Sequence, residues 1–183
     1  MIILIGGNSC TGKTNLSQIL MEKYNIPYYS IDHMKMGLYR SGIDFGFKST
    51  DSDELIAEKL WPIIKGIIMT CVENNQNIII EGCYLMPSLI NDFEDCYKDN
   101  IISVFLGFSR EYIIQNFESG IISHRNIIET RIYKENRSVD DFINEHDKFR
   151  AKCYKNGVNY FEINNNYNKE INRVIDFIDS KIN

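Results

Sequence analysis

Apolar positions along the chain fall into two alternating rhythms. Ile2-Ile3-Leu4-Ile5 is an unbroken apolar run, and after a short polar interval Leu16, Ile19, Leu20 and Tyr24 recur at i, i+3, i+4 and i+8. The first rhythm predicts a strand buried on both faces, the second an amphipathic helix. The pair repeats. Residues 26–31, 77–82, 101–106 and 158–163 read as further strands, with Ile78-Ile79-Ile80 the clearest β-branched run. Helical spacing fills the intervals. From Asp53, the apolar set Leu55, Ile56, Leu60, Ile63, Ile64, Ile67, Ile68 and Cys71 marks a long helix, which Pro62 should kink or divide. Ser109 is suited to N-cap a helix stapled by Phe108 and Ile113, and Ser138-Val139-Asp140-Asp141 is a capping-box candidate for a helix stopped by Gly157. Ile171, Val174, Ile175, Ile178 and Ile182 mark the face of a terminal helix. Strands alternating with helices predict an α/β fold, a three-layer sandwich whose parallel sheet is covered on both sides.

Two stretches break the pattern. Residues 41–51 carry glycines and small polar residues and read as a loop. In 118–138 apolar periodicity weakens while Arg125, Arg131 and Arg137 recur at six-residue intervals, and a lid is expected there. With 183 residues, the chain suits one domain, 1–183, carrying that lid.

Charge and cysteine usage narrow the partners. A formal charge of -5 and a pI near 5.3 leave no basic face for a polyanion, so neither nucleic acid nor an acidic membrane is an expected partner. Five scattered cysteines without a Cys-x-x-Cys fit a reducing compartment, and His33, His124 and His146 lack metal-ligand spacing. The first strand begins at residue 2 with no basic leader, and no apolar run approaches a membrane span, so a cytoplasmic location is expected.

Between the first strand and the first helix lies Gly7-Asn8-Ser9-Cys10-Thr11-Gly12-Lys13-Thr14. Glycines allow backbone N–H groups to turn inward around phosphate oxygens, Lys13 can reach the terminal phosphates, and the Thr14 hydroxyl can ligand Mg²⁺. The helix that follows adds its positive end. ATP with Mg²⁺ is therefore the expected cofactor pair. Asp32, His33 and Lys35 cluster beyond the second strand, and Glu81 ends the third. In open α/β sheets ligands collect outside such strand ends.

Taken in order, the phosphate loop, Asp32, Glu81 and the arginine-bearing segment resemble the P-loop kinase superfamily in its nucleoside-monophosphate-kinase-like branch. Ser30-Ile31-Asp32-His33-Met34-Lys35-Met36-Gly37-Leu38 and Ile80-Glu81-Gly82-Cys83-Tyr84-Leu85-Met86-Pro87 look most like 2-phosphoglycerate-kinase-like and adenylate-kinase-like small-molecule kinases. Chloramphenicol phosphotransferase and zeta toxins are more distant. The resemblance implies a five-stranded parallel sheet in the order 2-3-1-4-5, a lid over ATP, and transfer of the γ-phosphoryl group to a hydroxyl of a small molecule. One departure stands out. Nucleoside monophosphate kinases follow their third strand with Asp-Gly-aromatic-Pro-Arg, whose arginine binds the acceptor phosphate, whereas this chain has Glu81-Gly82-Cys83-Tyr84-Leu85. Alternatives are a nucleoside monophosphate kinase, a toxin-like nucleotide-sugar kinase and a nucleotide-dependent binding module; the last lacks the Asp-x-x-Gly and Asn-Lys-x-Asp of GTPase switches.

The resemblance implies that Asp32 orients or deprotonates the acceptor hydroxyl, although an Asp after a strand also caps helices. Glu81 is a candidate ligand of Mg²⁺ through water, an alternative base, or the partner of a cation. Arg131 and Arg137 are preferred over Arg125 as phosphate contacts, against the alternative of a solvated charged face beside Glu129 and Glu135. His33, Lys35 and Arg40 are candidates for acceptor recognition, with the two longer cations equally able to snorkel along the surface. Cys10 is either packed or reactive. Relatives bring a loop near adenine after the last strand, so Asn165 within Asn164-Asn165-Asn166 is a candidate there, or a turn former.

Overall fold

The computed structural model describes residues 1–125, 127, 128 and 135–182. Five strands form one parallel sheet: β1 (Ile2–Gly7), β2 (Tyr28–Ser30), β3 (Ile78–Glu81), β4 (Ile101–Phe108) and β5 (Tyr160–Ile163), in the order β2-β3-β1-β4-β5. This is the order implied by the resemblance. The register pairs Ile5 of β1 with Glu81 of β3 on one side and with Val104 of β4 on the other. Strand ends that carry polar residues therefore lie along one edge.

Side chains alternate across the sheet, so the unbroken apolar run of β1 feeds two cores. Ile2 and Leu4 pack with Ile56, Leu60 and Ile64 of α3 (Asp53–Glu73) and with Phe149 and Cys153 of α7 (Val139–Asn156). Ile3 and Ile5 face Leu16 and Leu20 of α1 (Lys13–Tyr24) and Val174 and Ile178 of α8 (Tyr167–Ile182). Either core lost would expose one whole face.

Helix α2 (Ile31–Arg40) follows β2 without a loop, and two short helices, α4 (Pro87–Ile90) and α5 (Asp95–Lys98), lie between β3 and β4. Pro62 does not divide α3, which runs 21 residues through it. The buried stripe Ile56, Leu60, Trp61, Ile64, Ile68 holds the helix across the missing N–H. The caps are as read. Ser109 Oγ accepts from Tyr112 N at 3.1 Å ahead of α6 (Arg110–Asn116), Ser138 and Asp141 form a reciprocal capping box, and Gly157 takes φ 64° after α7.

The arginine-bearing segment begins differently from its expectation. A π-helical turn, Phe117–Ile122, continues α6; its Ile121 is buried and Phe117 stacks edge-on against Phe142 of α7. Its start is thus packed rather than free. Among the described residues, no helix is long and apolar enough to cross a membrane, and all five cysteines are unpaired.

Candidate active site

The phosphate loop is shaped by close approach. Gly7 has φ 141°, and a Cβ on it would sit 2.4 Å from the carbonyl oxygen of Leu106 on β4; Gly12, at φ 82°, would meet the Tyr167 hydroxyl. Only glycine fits between those walls. Inside the turn, Lys13 Nζ and Thr11 Oγ1 each donate to the Asn8 carbonyl oxygen at 2.8 Å, and both residues are buried. The ammonium thus rests on the loop's own backbone. Cys10 adopts φ 66° and lines the adjoining cavity, as do Gly12, Lys13 and Thr14.

That cavity, of about 400 Å³, is walled by Phe108, Tyr112, Arg125, Ile128, Tyr167 and Asn168 besides the loop. Aromatic and aliphatic walls beside a phosphate cradle suit a flat heterocycle. Tyr167 and Asn168 open α8, whereas Asn165 is exposed just before it and does not line the cavity.

The arginines change rank. Arg137 is held by its neighbours: its guanidinium meets Glu135 at 2.8 Å through two nitrogens and Glu145 at 2.7 Å, and lies 4.4 Å from the centre of the Phe142 ring. The pairing keeps the Glu135 carboxyl down at about 2, and the Arg137 pKa is raised in return. Arg137 does not line the cavity, whereas Arg125 does. The Arg125 Nε is buried and, among the described residues, has no hydrogen-bond partner. Arg131 and Glu129 lie outside the described residues.

Opposite the loop stands a second group. Lys35 Nζ donates to the Tyr84 hydroxyl at 2.7 Å and approaches Asp32 Oδ1 to 3.5 Å, which sets the Asp32 carboxylate near Tyr84. Burial first, then the nearby Asp32, drives the Tyr84 pKa up, so its hydroxyl stays protonated. Asp32 lies in the first turn of α2 rather than at its N-cap, which is Ser30. The capping alternative for Asp32 is therefore not realised. Lys35 is likewise engaged by its neighbours. His33 and Arg40 are both exposed, and Arg40 closes the helix about 12 Å along its axis from Asp32.

Two residues of this group escaped the sequence reading. Tyr84 sits three positions past the end of β3, and Asp53 opens α3. The Asp53 carboxyl is raised chiefly by desolvation at the cleft, with Glu54 and Asp32 adding to it and Lys13 and Lys35 opposing. Lys13, Asp32, Lys35 and Asp53 thus share one electrostatic neighbourhood. Cys83 is pushed up to about 11, mainly by burial, and remains a thiol.

Thr14 Oγ1 donates to Glu81 Oε1 at 3.3 Å, and Glu81 is only 2% exposed. A hydroxyl and a carboxylate beside a phosphate cradle fit Mg²⁺, a cation held largely by substrate phosphates and water with one or two protein oxygens. Among the described residues no group of three or more His, Cys, Asp or Glu could hold a metal by itself. The donor set suits a metal that arrives with its nucleotide.

Comparison with solved structures decides the fold. Shikimate kinase from Aquifex aeolicus matches over 100% of this chain and 98% of its own, at 16% identity and a TM-score of 0.57. Shikimate kinase from Bacteroides thetaiotaomicron matches over 98% of each chain at 18% identity and a TM-score of 0.52. Deoxyadenosine kinase from M. mycoides gives a TM-score of 0.52 at 12% identity, over 98% of this chain and 100% of that one. The chain has the P-loop kinase fold. No family model matches it, and no curated protein matches it in sequence. Within the P-loop kinase fold, the specific features of this chain are Asp32 tied to Lys35 and Tyr84, Glu81 against Thr14, and Arg125 at the cavity wall.

Proposed function

We propose that the protein is an ATP-dependent phosphotransferase that moves the γ-phosphoryl group to a hydroxyl of a small molecule. The observation that carries this reading is that Lys13 of the phosphate loop acts on the same groups, Asp53 and Cys83, as Asp32, which itself stands beside Lys35. The loop suits a triphosphate, the Asp32 group an alcohol.

The triphosphate binds with its phosphates against the loop amides, and Lys13 exchanges the Asn8 carbonyl for a phosphate oxygen. Phe108, Tyr112 and Tyr167 enclose the base, and Arg125 neutralises phosphate charge. Asp32, oriented by Tyr84 and Lys35, accepts the proton of the acceptor hydroxyl as its oxygen forms a bond to the γ-phosphorus; the bond from that phosphorus to the β–γ bridging oxygen breaks, and ADP leaves. Mg²⁺ at Thr14 and Glu81 would supply further charge compensation. Placement and electrostatics thus provide most of the rate.

Incubation with MgATP and a panel of hydroxyl-bearing metabolites, followed by phosphorus NMR and mass spectrometry, tests the reading. Expected are ADP and a phosphomonoester, with Asp32→Asn abolishing transfer while ATP binding survives. Retained turnover in Asp32→Asn would remove that residue from the proton-accepting role. Absence of MgATP binding by the wild type would overturn the kinase reading itself.

A further inference from the structure

Ser30 is the N-cap residue of α2, yet its side chain caps nothing. Its hydroxyl is buried, the residue being 3% exposed, and has no hydrogen-bond partner. Serine is favoured at N-caps because its oxygen accepts a helix N–H, and a buried hydroxyl without any partner is destabilising. Among the described residues nothing meets this hydroxyl, which leaves it free to take a partner that arrives with a ligand.

Its surroundings can be built from register. Ser30 pairs with Glu81 across β2 and β3, and paired residues on neighbouring strands present their side chains on the same face. Glu81 reaches Thr14 from that face. A second contact fixes the alignment: Gln18 Nε2 donates to the Tyr28 hydroxyl at 3.5 Å. Tyr28 and Ser30 lie two apart on the strand and share a face, while Gln18 and Thr14 lie one turn apart on α1. The strand runs toward the ligand edge as the helix runs away from it, so the step from Tyr28 to Ser30 matches the step from Gln18 back to Thr14. Ser30 thus pairs with Glu81 on the face of the sheet from which Glu81 reaches Thr14.

We infer that Ser30 is a positioning residue for the hydrated divalent cation of the nucleotide, its Oγ completing a three-oxygen corner with Thr14 Oγ1 and the Glu81 carboxylate. It acts through a water of the cation's shell, to which it can both donate and accept. This rests on the proposed use of MgATP, with Ser30 as an added member of the site.

Binding of a fluorescent ATP analogue, titrated with Mg²⁺, compares wild type with Ser30→Ala, alongside thermal unfolding of both ligand-free proteins. In Ser30→Ala the Mg²⁺ concentration for half-maximal binding rises about tenfold. Affinity for the metal-free analogue is unchanged. The ligand-free variant unfolds about 2–4 °C higher, because an unsatisfied buried hydroxyl has been removed. An unaltered Mg²⁺ requirement, or a lower unfolding temperature in Ser30→Ala, overturns the inference. Failure of the wild type to bind the analogue with Mg²⁺ strikes the kinase reading instead, so the two failures are distinct.

Discussion

The corner between β1 and α1 and the stretch between α6 and α7 both line the same cavity, but they are specified in different ways. In the first, backbone does the work: Gly7 is wedged against Leu106 and Gly12 against Tyr167, while Lys13 and Thr11 are fixed on one carbonyl. In the second, side chains decide: Arg137 is committed to Glu135 and Glu145, leaving Arg125 with a buried Nε that, among the described residues, has no partner. A local backbone motif can be read along the chain. A choice between two arginines depends on which carboxylates the fold brings near.

The difference can be broken at the arginines. Arg125→Ala should weaken ATP binding about ten- to hundredfold, the range expected for losing a charge-assisted contact with phosphate. Arg137→Ala should leave ATP affinity within about twofold and instead lower stability by about 1 kcal/mol, discounted for its partial exposure. Calorimetric titration with MgATP and denaturant unfolding separate the two. Reversed effects would return the phosphate role to Arg137.

His146 sharpens the comparison, because it joins the wall of the cavity to the helix that follows the arginine segment. Its Nδ1 accepts from Phe108 N at 2.9 Å, it stacks between Phe108 and Phe142, and burial above all holds its pKa down at about 3. In the unfolded chain the imidazole takes a proton near 6.5, whereas in the fold it stays neutral until far lower pH. The unfolded state therefore binds more protons between these values. Stability should fall as pH drops below about 6.5, by up to about 1.4 kcal/mol per pH unit from this residue alone. His146→Phe should flatten that slope between about pH 5.5 and 6.5 in urea unfolding, above the pH at which most carboxylates titrate. An unchanged slope would show that His146 is protonated in the fold.

A smaller effect is expected across the cleft from both regions. Asp53→Asn removes one carboxylate from the neighbourhood of Asp32 and Lys35 while Ser52 still caps α3. Steady-state kinetics should show KM for the acceptor changed about two- to fivefold with KM for ATP unaltered. A change in the ATP constant alone would place Asp53 on the nucleotide side.

The same contrast explains what was legible in the sequence. Sheet, helices, caps and phosphate loop follow from apolar period, glycine position and Ser109, Ser138 and Gly157, which act through neighbours a few residues away. Features that distant partners decide were not legible along the chain. Pro62 leaves α3 undivided because packing on the sheet outweighs one missing N–H. Lys35 and Tyr84 meet across 49 positions, and Tyr167 and Asn168, rather than Asn165, reach the cavity because α8 starts where it does. Asp53 looked like an ordinary helix-opening acid until the fold set it near Lys13 and Asp32.

The most direct test of the account is calorimetric titration of wild type and Lys13→Ala with ATP in the presence of Mg²⁺. The wild type should bind one equivalent with a Kd below about 1 mM, in the range of working enzyme–substrate affinities, and Lys13→Ala should weaken it at least about tenfold. Equal affinity in the two proteins, or none in the wild type, would contradict a phosphate-binding role for the β1–α1 corner.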